Sequence, residues 1–265
     1  GWSKDGIAAL EAFAETWNVP VSVVFRRQQL FNHDHGHYAG DCGIGVNPAL
    51  RRTIDSADLV LVLGTRFSEI PSQSYDLLEN PVAGQRLVHV HVSETDRFAH
   101  ADRVVTAHPQ SLLAVLPKPV ARSVAGRAGH CAAVRADFEA WTAQPPANPG
   151  TLQMGEVITH LRATLRDDAI ITNGAGNYAS WVHRFYRFRG PGTQLAPTSG
   201  SMGYGLPAAV AAKIRHPDRE VVCFAGDGCF QMTGMEFGTA VQRGAAIVVV
   251  VVDNGMYGTI RMHQE

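Results

Sequence analysis

The sequence predicts an α/β protein made of two domains, each a doubly wound parallel sheet with helices packed on it. Short apolar runs alternate along the chain with segments whose apolar residues recur at helical spacing, which is typical of parallel strands joined by crossover helices. A polar, proline-rich stretch at 143–150 separates two such series and is predicted to be a linker. With 265 residues, 45% of them hydrophobic, the chain is long enough to give both domains a core.

The first predicted domain covers residues 1–142. Helical spacing and apolar runs predict helices at 5–18, 47–57, 108–117 and 132–143 and strands at 19–25, 58–65 and 86–93. The helix at 47–57 carries a start signal, because Asn47 can cap it and Pro48 then takes the first helical position, where a missing N–H is harmless.

The second predicted domain covers residues 151–265 and repeats the alternation. Helices are predicted at 153–165, 203–214 and 235–244, and strands at 168–176, 220–228 and 245–255. The chain begins without methionine and stops soon after the last strand and a glycine turn. We therefore expect it to be a piece of a longer protein, with the second domain cut short.

Composition narrows the range of partners. The formal net charge is −1 and there is no basic run, which argues against a nucleic-acid or membrane surface. The four cysteines are scattered without a CxxC pair, so we expect neither a disulfide framework nor a zinc site, and we expect a cytoplasmic protein. No apolar run approaches the length of a membrane span, and we expect no signal peptide.

The segment Gly226-Asp227-Gly228 places an acid at the carboxyl end of a buried strand, where open parallel sheets bind ligands. Asp253 and Asn254 end the next strand, and the 24 residues from 229 to 252 fit one helix plus one strand, so the two ends are expected to be neighbours. A carboxylate, an amide oxygen and a backbone carbonyl would suit Mg²⁺ or Ca²⁺, and glycine N–H groups would suit phosphate. The competing interpretation is a turn in which the acid caps the next helix.

Three further glycine-rich strand ends accompany this segment. They are "NGAGNYASW" at 173–181, "GSMGYGLPAAVAA" at 200–212 and "NGMYG" at 254–258. The ordered set of "GSMGYGLPAA", "GDG", 24 residues and "DN" resembles the diphosphate-binding domain of thiamine diphosphate enzymes, within them the acetolactate synthase-like group. The stretches "DSADLVLVLGTRFSE" and "RLVHVHVSETD" are similar to the central, Rossmann-like domain of that group.

The resemblance implies thiamine diphosphate and Mg²⁺ as cofactors. It assigns the metal to Asp227, Asn254 and the main-chain carbonyl of Met256. It assigns Met202 to the apolar side chain that supports the bent shape of the cofactor, the role nearest to catalysis in this chain. The remaining cofactor contacts that it implies are Asn177, Tyr178, Gly200, Ser201, Gly226, Gly228, Cys229, Tyr257 and Gly258. Tyr178 stands where the family often has histidine, and Cys229 is expected to be a small residue at a helix start and not a reactive thiol.

The resemblance also implies an activity and partners. It points to decarboxylation of a pyruvate-like 2-oxo acid with carboligation, in a homo-oligomer whose active site lies at a subunit interface. The activating glutamate belongs to a pyrimidine-binding domain that is expected before Gly1, so this chain alone should be inactive. His263 stands where acetolactate synthases commonly have tryptophan, which leaves open a simple decarboxylase that releases an aldehyde. A non-catalytic nucleotide-binding paralogue is the alternative from another class.

Two features of the first domain remain. Arg66 matches an arginine that contacts FAD in those members that hold flavin as a structural cofactor, so the resemblance allows FAD; a salt bridge at a helix start is the competing interpretation. The histidines of the glycine-rich loop 31–43 are expected to be loop residues and not a metal site.

Overall fold

The computed structural model describes residues 2–78, 84–93 and 101–265. The end of the "RLVHVHVSETD" motif, at 94–96, lies outside the described residues. The chain divides into two compact units, one formed by Gly1–Phe25 and His33–Ala143 and the other by Arg26–Asn32 and Gln144–Glu265. The sequence did not predict that seven residues from the first predicted domain would belong to the second unit.

The first unit alternates helices and strands as predicted. Its elements are α1 (Lys4–Trp17), β1 (Val21–Val24), β2 (Tyr38–Cys42), α2 (Pro48–Asp55), β3 (Leu59–Leu63), β4 (Arg86–His91), β5 (Arg103–Thr106), α3 (Pro109–Val115), α4 (Ala121–Val124) and α5 (Arg127–Ala143). All strand pairs are parallel, with β1 beside β2 and with β4 between β3 and β5. The Asn47 side chain accepts a hydrogen bond from the N–H of Ala49, which confirms its predicted role as a cap.

The second unit is a four-stranded parallel sheet with helices. After a single 3₁₀ turn at Gln28–Leu30, its elements are α6 (Met154–Thr164), β6 (Ile170–Asn173), α7 (Tyr178–Phe185), β7 (Gln194–Leu195), α8 (Gly205–Arg215), β8 (Val221–Gly226), α9 (Asp227–Thr233), α10 (Glu236–Gln242), β9 (Val248–Val252) and α11 (Gly258–Gln264). The strand order is β7-β6-β8-β9. Two short helices, α9 and α10, stand where the spacing predicted one.

The core of the second unit is built on β8. Every residue of this strand is buried, as expected for a central parallel strand covered on both faces. Ile171 of β6 and Phe224 of β8 are fully buried there, and Leu206 of α8 packs into the same cluster. The central position of β8 fixes the point where the Gly-Asp-Gly segment leaves the sheet.

One sequence-based expectation for the first unit needs correction. The loop 31–43 contains a strand, β2, because its glycine and alanine residues allow close packing against α5. His33 lies in a turn, as expected, but its side chain is buried and stacks on Tyr38 with ring centroids 4.1 Å apart.

Candidate functional site

Four segments meet at the carboxyl edge of the sheet in the second unit. They are the loops 174–177, 196–204 and 253–257, which follow β6, β7 and β9, and the start of α9 at Asp227, which follows β8 directly. Gly226 pairs with Val252, so the ends of β8 and β9 lie side by side, as the 24-residue spacing predicted. Asn173 of β6 pairs with Phe224 of β8, which brings the loop after β6 to the same edge.

Gly174 lies where three of these segments approach one another. A Cβ atom at this position would lie 3.0 Å from the hydroxyl of Tyr178, 3.1 Å from the Cys229 sulfur and 3.5 Å from the Gly203 nitrogen. The first two distances are shorter than most Cβ contacts, so a side chain here would displace Tyr178 or Cys229, and glycine favours the close approach. The loops that carry the candidate residues therefore form one connected structure.

The buried side chains of Tyr178 and Cys229 form hydrogen bonds that link these segments. The Tyr178 hydroxyl accepts a hydrogen bond from the N–H of Gly174 at 3.0 Å and lies 3.5 Å from the Cys229 sulfur. The Cys229 thiol in turn donates to the carbonyl of Ala175 at 2.9 Å. Both side chains are buried, and burial together with the hydrogen bond to Cys229 raises the pKa of Tyr178. The predicted contact of the Tyr178 side chain with a diphosphate therefore stays a prediction.

Asp227 is the first residue of α9, half-buried at the end of β8. Gly226 occupies the capping position, and no side-chain capping bond is found there among the described residues, so Asp227 is not the helix cap of the competing interpretation. The N–H groups of Gly228 and Cys229 lie in the first turn of α9, where backbone donors have no acceptor within the helix. A carboxylate and free backbone donors thus lie together.

The loop after β9 is shaped by its own side chains. The Asp253 carboxylate accepts from the N–H of Gly255 at 2.8 Å, and the Asn254 amide oxygen accepts from the N–H of Met256 at 3.2 Å. These bonds are Asx turns, which give the loop a defined course. Asn254 and Met256 are exposed residues, and the Met256 carbonyl accepts from the N–H of Gly258 at 2.9 Å.

Asn177 joins this loop to the loop after β6. The Thr259 hydroxyl donates to the Asn177 amide oxygen at 2.9 Å. A Cβ atom at Gly258 would lie 2.9 Å from the amide nitrogen of Asn254 and 3.5 Å from that of Asn177. Gly258 therefore leaves the space in which the two amides approach each other, and Thr259 is a site residue that sequence reasoning missed.

Met202, in the loop after β7, lies close to the start of α9 and to the loop after β9. A Cβ atom at Gly228 would lie 3.3 Å from the Met202 methyl carbon and 3.6 Å from the Tyr257 ring. Met202 is 42% exposed, so it is not an ordinary core methionine. Gly200 and Ser201, the residues before it, are exposed as well. Met202, which is predicted to support the bent cofactor, thus lies beside the segments that carry the predicted metal ligands.

The described residues hold no cluster of three or more histidine, cysteine, aspartate or glutamate side chains with the geometry of a metal site. The predicted magnesium site does not need such a cluster. Its ligands would be one carboxylate, from Asp227, one amide oxygen, from Asn254, and the Met256 carbonyl, and Mg²⁺ takes hard oxygen ligands of this kind together with waters and phosphate oxygens. In this respect the residues present fit the ion.

The other residues singled out from sequence belong to other elements. Arg66 is exposed just beyond the carboxyl end of β3 in the first unit, and His263 is exposed on α11. In the first unit, Nε2 of His35 lies 3.2 Å from Oε1 of Glu15, and Nε2 of His37 lies 3.1 Å from Oδ1 of Asn18. Over the described ranges, no helix is long and apolar enough to cross a membrane.

Comparison with known proteins connects both units to one kind of enzyme. Residues 174–265 match the model of the thiamine pyrophosphate enzyme C-terminal TPP binding domain, and residues 1–116 match that of the central domain. Acetolactate synthase of Mycobacterium avium is 28% identical over 270 residues, covering 96% of this chain and 42% of that protein. The acetolactate synthase large subunit of Corynebacterium glutamicum is 27% identical, covering 98% and 42%.

A more distant relative is the acetolactate synthase isozyme 2 large subunit of Escherichia coli, 24% identical, with 98% of this chain and 46% of that protein covered. The chain therefore spans less than half the length of the curated relatives it matches.

Proposed function

The chain belongs to the thiamine pyrophosphate enzyme family, and on that premise we propose that it forms part of an enzyme that decarboxylates a pyruvate-like 2-oxo acid and joins the product to a second carbonyl compound, as an acetolactate synthase does. The observation that supports this best is the meeting of three elements at one sheet edge. Asp227 follows β8, Asn254 follows the adjacent β9, and the Met202 methyl carbon lies 3.3 Å from where a Cβ atom at Gly228 would be.

In this proposal Asp227, Asn254 and the Met256 carbonyl hold Mg²⁺, which neutralises the charge of the cofactor diphosphate. The N–H groups of Gly228 and Cys229 are donors for phosphate oxygens. Asn177 is fixed by Thr259 beside Asn254, so its amide nitrogen is available to the same anion. The chemistry of the donors thus matches a magnesium diphosphate.

Thiamine diphosphate, when bound, supplies the electron sink that allows CO₂ to leave a 2-oxo acid. The residues of this chain orient it and exclude water. The Met202 side chain provides an apolar surface for the cofactor, and Gly200 and the main chain of Met202 provide backbone groups for the pyrimidine. The exposed position of Met202 leaves room for a ligand against it.

In this proposal the protein is a homo-oligomer. The activating glutamate belongs to another domain, and a partner subunit supplies the second half of the active site. The substrate is a small 2-oxo acid, and the protein is proposed to act in the cytoplasm. Arg66, exposed beyond β3, is the residue that would contact FAD if the first unit holds flavin.

A simple decarboxylase that releases an aldehyde is the second candidate. The observation that favours it is His263, exposed on α11 where acetolactate synthases commonly have tryptophan. The two candidates differ in the product made from pyruvate. The intact protein, incubated with pyruvate, thiamine diphosphate and Mg²⁺, should give acetolactate by proton NMR under the first proposal and acetaldehyde under the second.

Cofactor binding tests the site independently of turnover. The Asp227→Ala variant should lose Mg²⁺-dependent binding of thiamine diphosphate in calorimetric titration, since the only carboxylate of the set is gone. The control is Glu236→Ala, which removes an acid from the next helix, α10, and should bind the cofactor as the unmodified protein does. Equal affinity of the two variants would refute the metal assignment. An intact protein that binds no thiamine diphosphate would support the non-catalytic paralogue.

A further inference from the structure

The segment Arg26–Asn32, here called the strap, runs along the edge of the sheet in the second unit. It follows β1 in the chain, yet it is part of the unit that carries the candidate site. Arg26 and Gln28 are both buried, at 4% and 0% exposure, although their side chains are polar. Buried polar side chains have to be hydrogen-bonded to be tolerated, so their partners show what the strap does.

The partners of the strap's side chains lie just before, in and just after the edge strand β7. The Gln29 side-chain oxygen accepts from the N–H groups of Thr193 and Gln194, at 2.8 and 3.2 Å. The Gln194 amide nitrogen donates to the Gln28 side-chain oxygen at 2.5 Å. The Gln29 side chain thus satisfies backbone donors that the sheet leaves open on this edge.

The last contact reaches the loop that carries Met202. The Arg26 guanidinium donates to the carbonyl of Pro197. The same carbonyl accepts the N–H of Gly200 at 3.0 Å, which closes a four-residue turn. Gly200 has a φ of +76°, in the left-handed region, and Ser201 and Met202 follow it directly. One carbonyl therefore holds both the turn and the strap.

The Arg26 charge also lies near the buried residues Tyr178 and Cys229 of the candidate site. Burial lowers the pKa of Arg26, while Tyr178 and Cys229, the two residues that join the loops, act in the opposite direction. A guanidinium is a planar donor that remains charged when buried. It can therefore hold a carbonyl in one place more firmly than a neutral side chain.

We propose that Arg26 is a positioning residue for the cofactor, acting through the Pro197 carbonyl to fix the turn that presents Gly200, Ser201 and Met202. This inference rests on the proposed function. Arg26 itself does not touch the reacting atoms. The physical reason is that residues 198–202 are exposed, so the course of this loop depends on where the turn begins.

The test uses the intact protein and two variants with the same chemical change. Arg26→Met removes the donor, and Arg27→Met, one position along, removes an exposed arginine whose guanidinium donates to the carbonyl of Arg26. The first measurement is hydrogen exchange at the Gly200 amide without any cofactor. Arg26→Met should speed this exchange about tenfold or more, because a charge-assisted bond that holds the turn is lost. Arg27→Met should leave it unchanged.

The second measurement is turnover of pyruvate per cofactor-loaded site, beside the dissociation constant of thiamine diphosphate with Mg²⁺. Arg26→Met should lower turnover about tenfold while changing the dissociation constant far less, and Arg26→Lys should restore part of it. A merely structural role would lower the melting temperature and the loaded fraction but not turnover per loaded site.

Equal Gly200 exchange in the two methionine variants would overturn the proposal, as would weaker cofactor binding with unchanged turnover per loaded site. If Arg26→Met does not fold, Arg26→Lys is compared with Arg27→Lys. Faster Gly200 exchange in the former then supports the proposal, and equal exchange overturns it. Absence of thiamine diphosphate binding by the unmodified protein would instead refute the proposed function, and the exchange measurement would still show whether Arg26 holds the turn.

Discussion

The close approach of α8 to β6 gives a prediction with a calculable magnitude, the effect of Gly205→Ala. A Cβ atom at Gly205 would lie 3.0 Å from the Asn173 carbonyl carbon and 3.0 Å from the Gly174 nitrogen. Both are backbone atoms at the end of a buried strand, so α8 would have to move away. The Thr172 hydroxyl, which donates to the Gly205 carbonyl at 2.8 Å, would lose its geometry as well.

Overpacking of this kind costs about 1–3 kcal/mol of folding free energy. Alanine offsets at most about 1 kcal/mol of it through its higher helix propensity, and less at the first position of a helix. We expect a net loss of about 1–2 kcal/mol, which for a chain of this size lowers the melting temperature by about 2–8 °C.

Gly238→Ala is the matched control, because no heavy atom lies within 4 Å of the added Cβ and the residue is inside α10. It should stabilise the protein by about 0.5–1 kcal/mol through backbone entropy. Thermal and urea unfolding of both variants, followed by circular dichroism without cofactor, measure the difference. A Gly205→Ala variant as stable as Gly238→Ala would refute the contact argument.

The remaining predictions concern the core, the site and the response to pH. Phe224→Ala should cost about 3–5 kcal/mol in urea unfolding, because the ring is fully buried on β8; a loss below 1 kcal/mol would contradict that packing. Met202→Ala should lower turnover much more than cofactor affinity, and equal losses would argue against its role in supporting the bent cofactor. Gly258→Ala should weaken Mg²⁺-dependent cofactor binding about tenfold by displacing Asn254, which lies 2.9 Å from the added carbon, and unchanged affinity would count against it. Burial, with the Arg26 charge adding to it, lowers the pKa of His183 to about 3, so between pH 6.5 and 3 only the unfolded chain takes up this proton. Stability is therefore retained above pH 6.5 and falls by about 1.4 kcal/mol by pH 5.5, a slope that His183→Gln should remove in unfolding experiments at several pH values.

Much of the fold could be predicted from the sequence because its signals are local. The apolar runs that became β3, β4, β8 and β9 are strongly periodic, and the strands lie within the predicted ranges. The neighbouring ends of β8 and β9 followed from chain length alone, since 24 residues return the chain to an adjacent parallel strand.

The missed features depend on contacts between residues far apart in the chain. The stretch "RRQQL" has the composition of an exposed loop, and nothing local indicates that Arg26 and Gln28 are buried against residues 193–197. Nothing local in the sequence indicates that the side chains of Tyr178 and Cys229 form hydrogen bonds with each other and with Gly174 and Ala175, and their predicted cofactor contacts stay predictions. A spacing pattern identifies which loops meet, but it does not show which side chains turn inward.

The place of the strap in the chain has a consequence for the order of events during synthesis. Its last residue, Asn32, leaves the ribosome 197 − 32 = 165 residues before its partner Pro197. At about 5–20 residues per second, that is a wait of about 8–33 s, far longer than helices and hairpins need to form. During this interval Arg26 and Gln28 are hydrated and have no sheet edge to join. The second unit is thus completed by a segment translated long before the rest of it, and a shorter chain that begins at Gln144 would leave the N–H groups of Thr193 and Gln194 without the Gln29 acceptor.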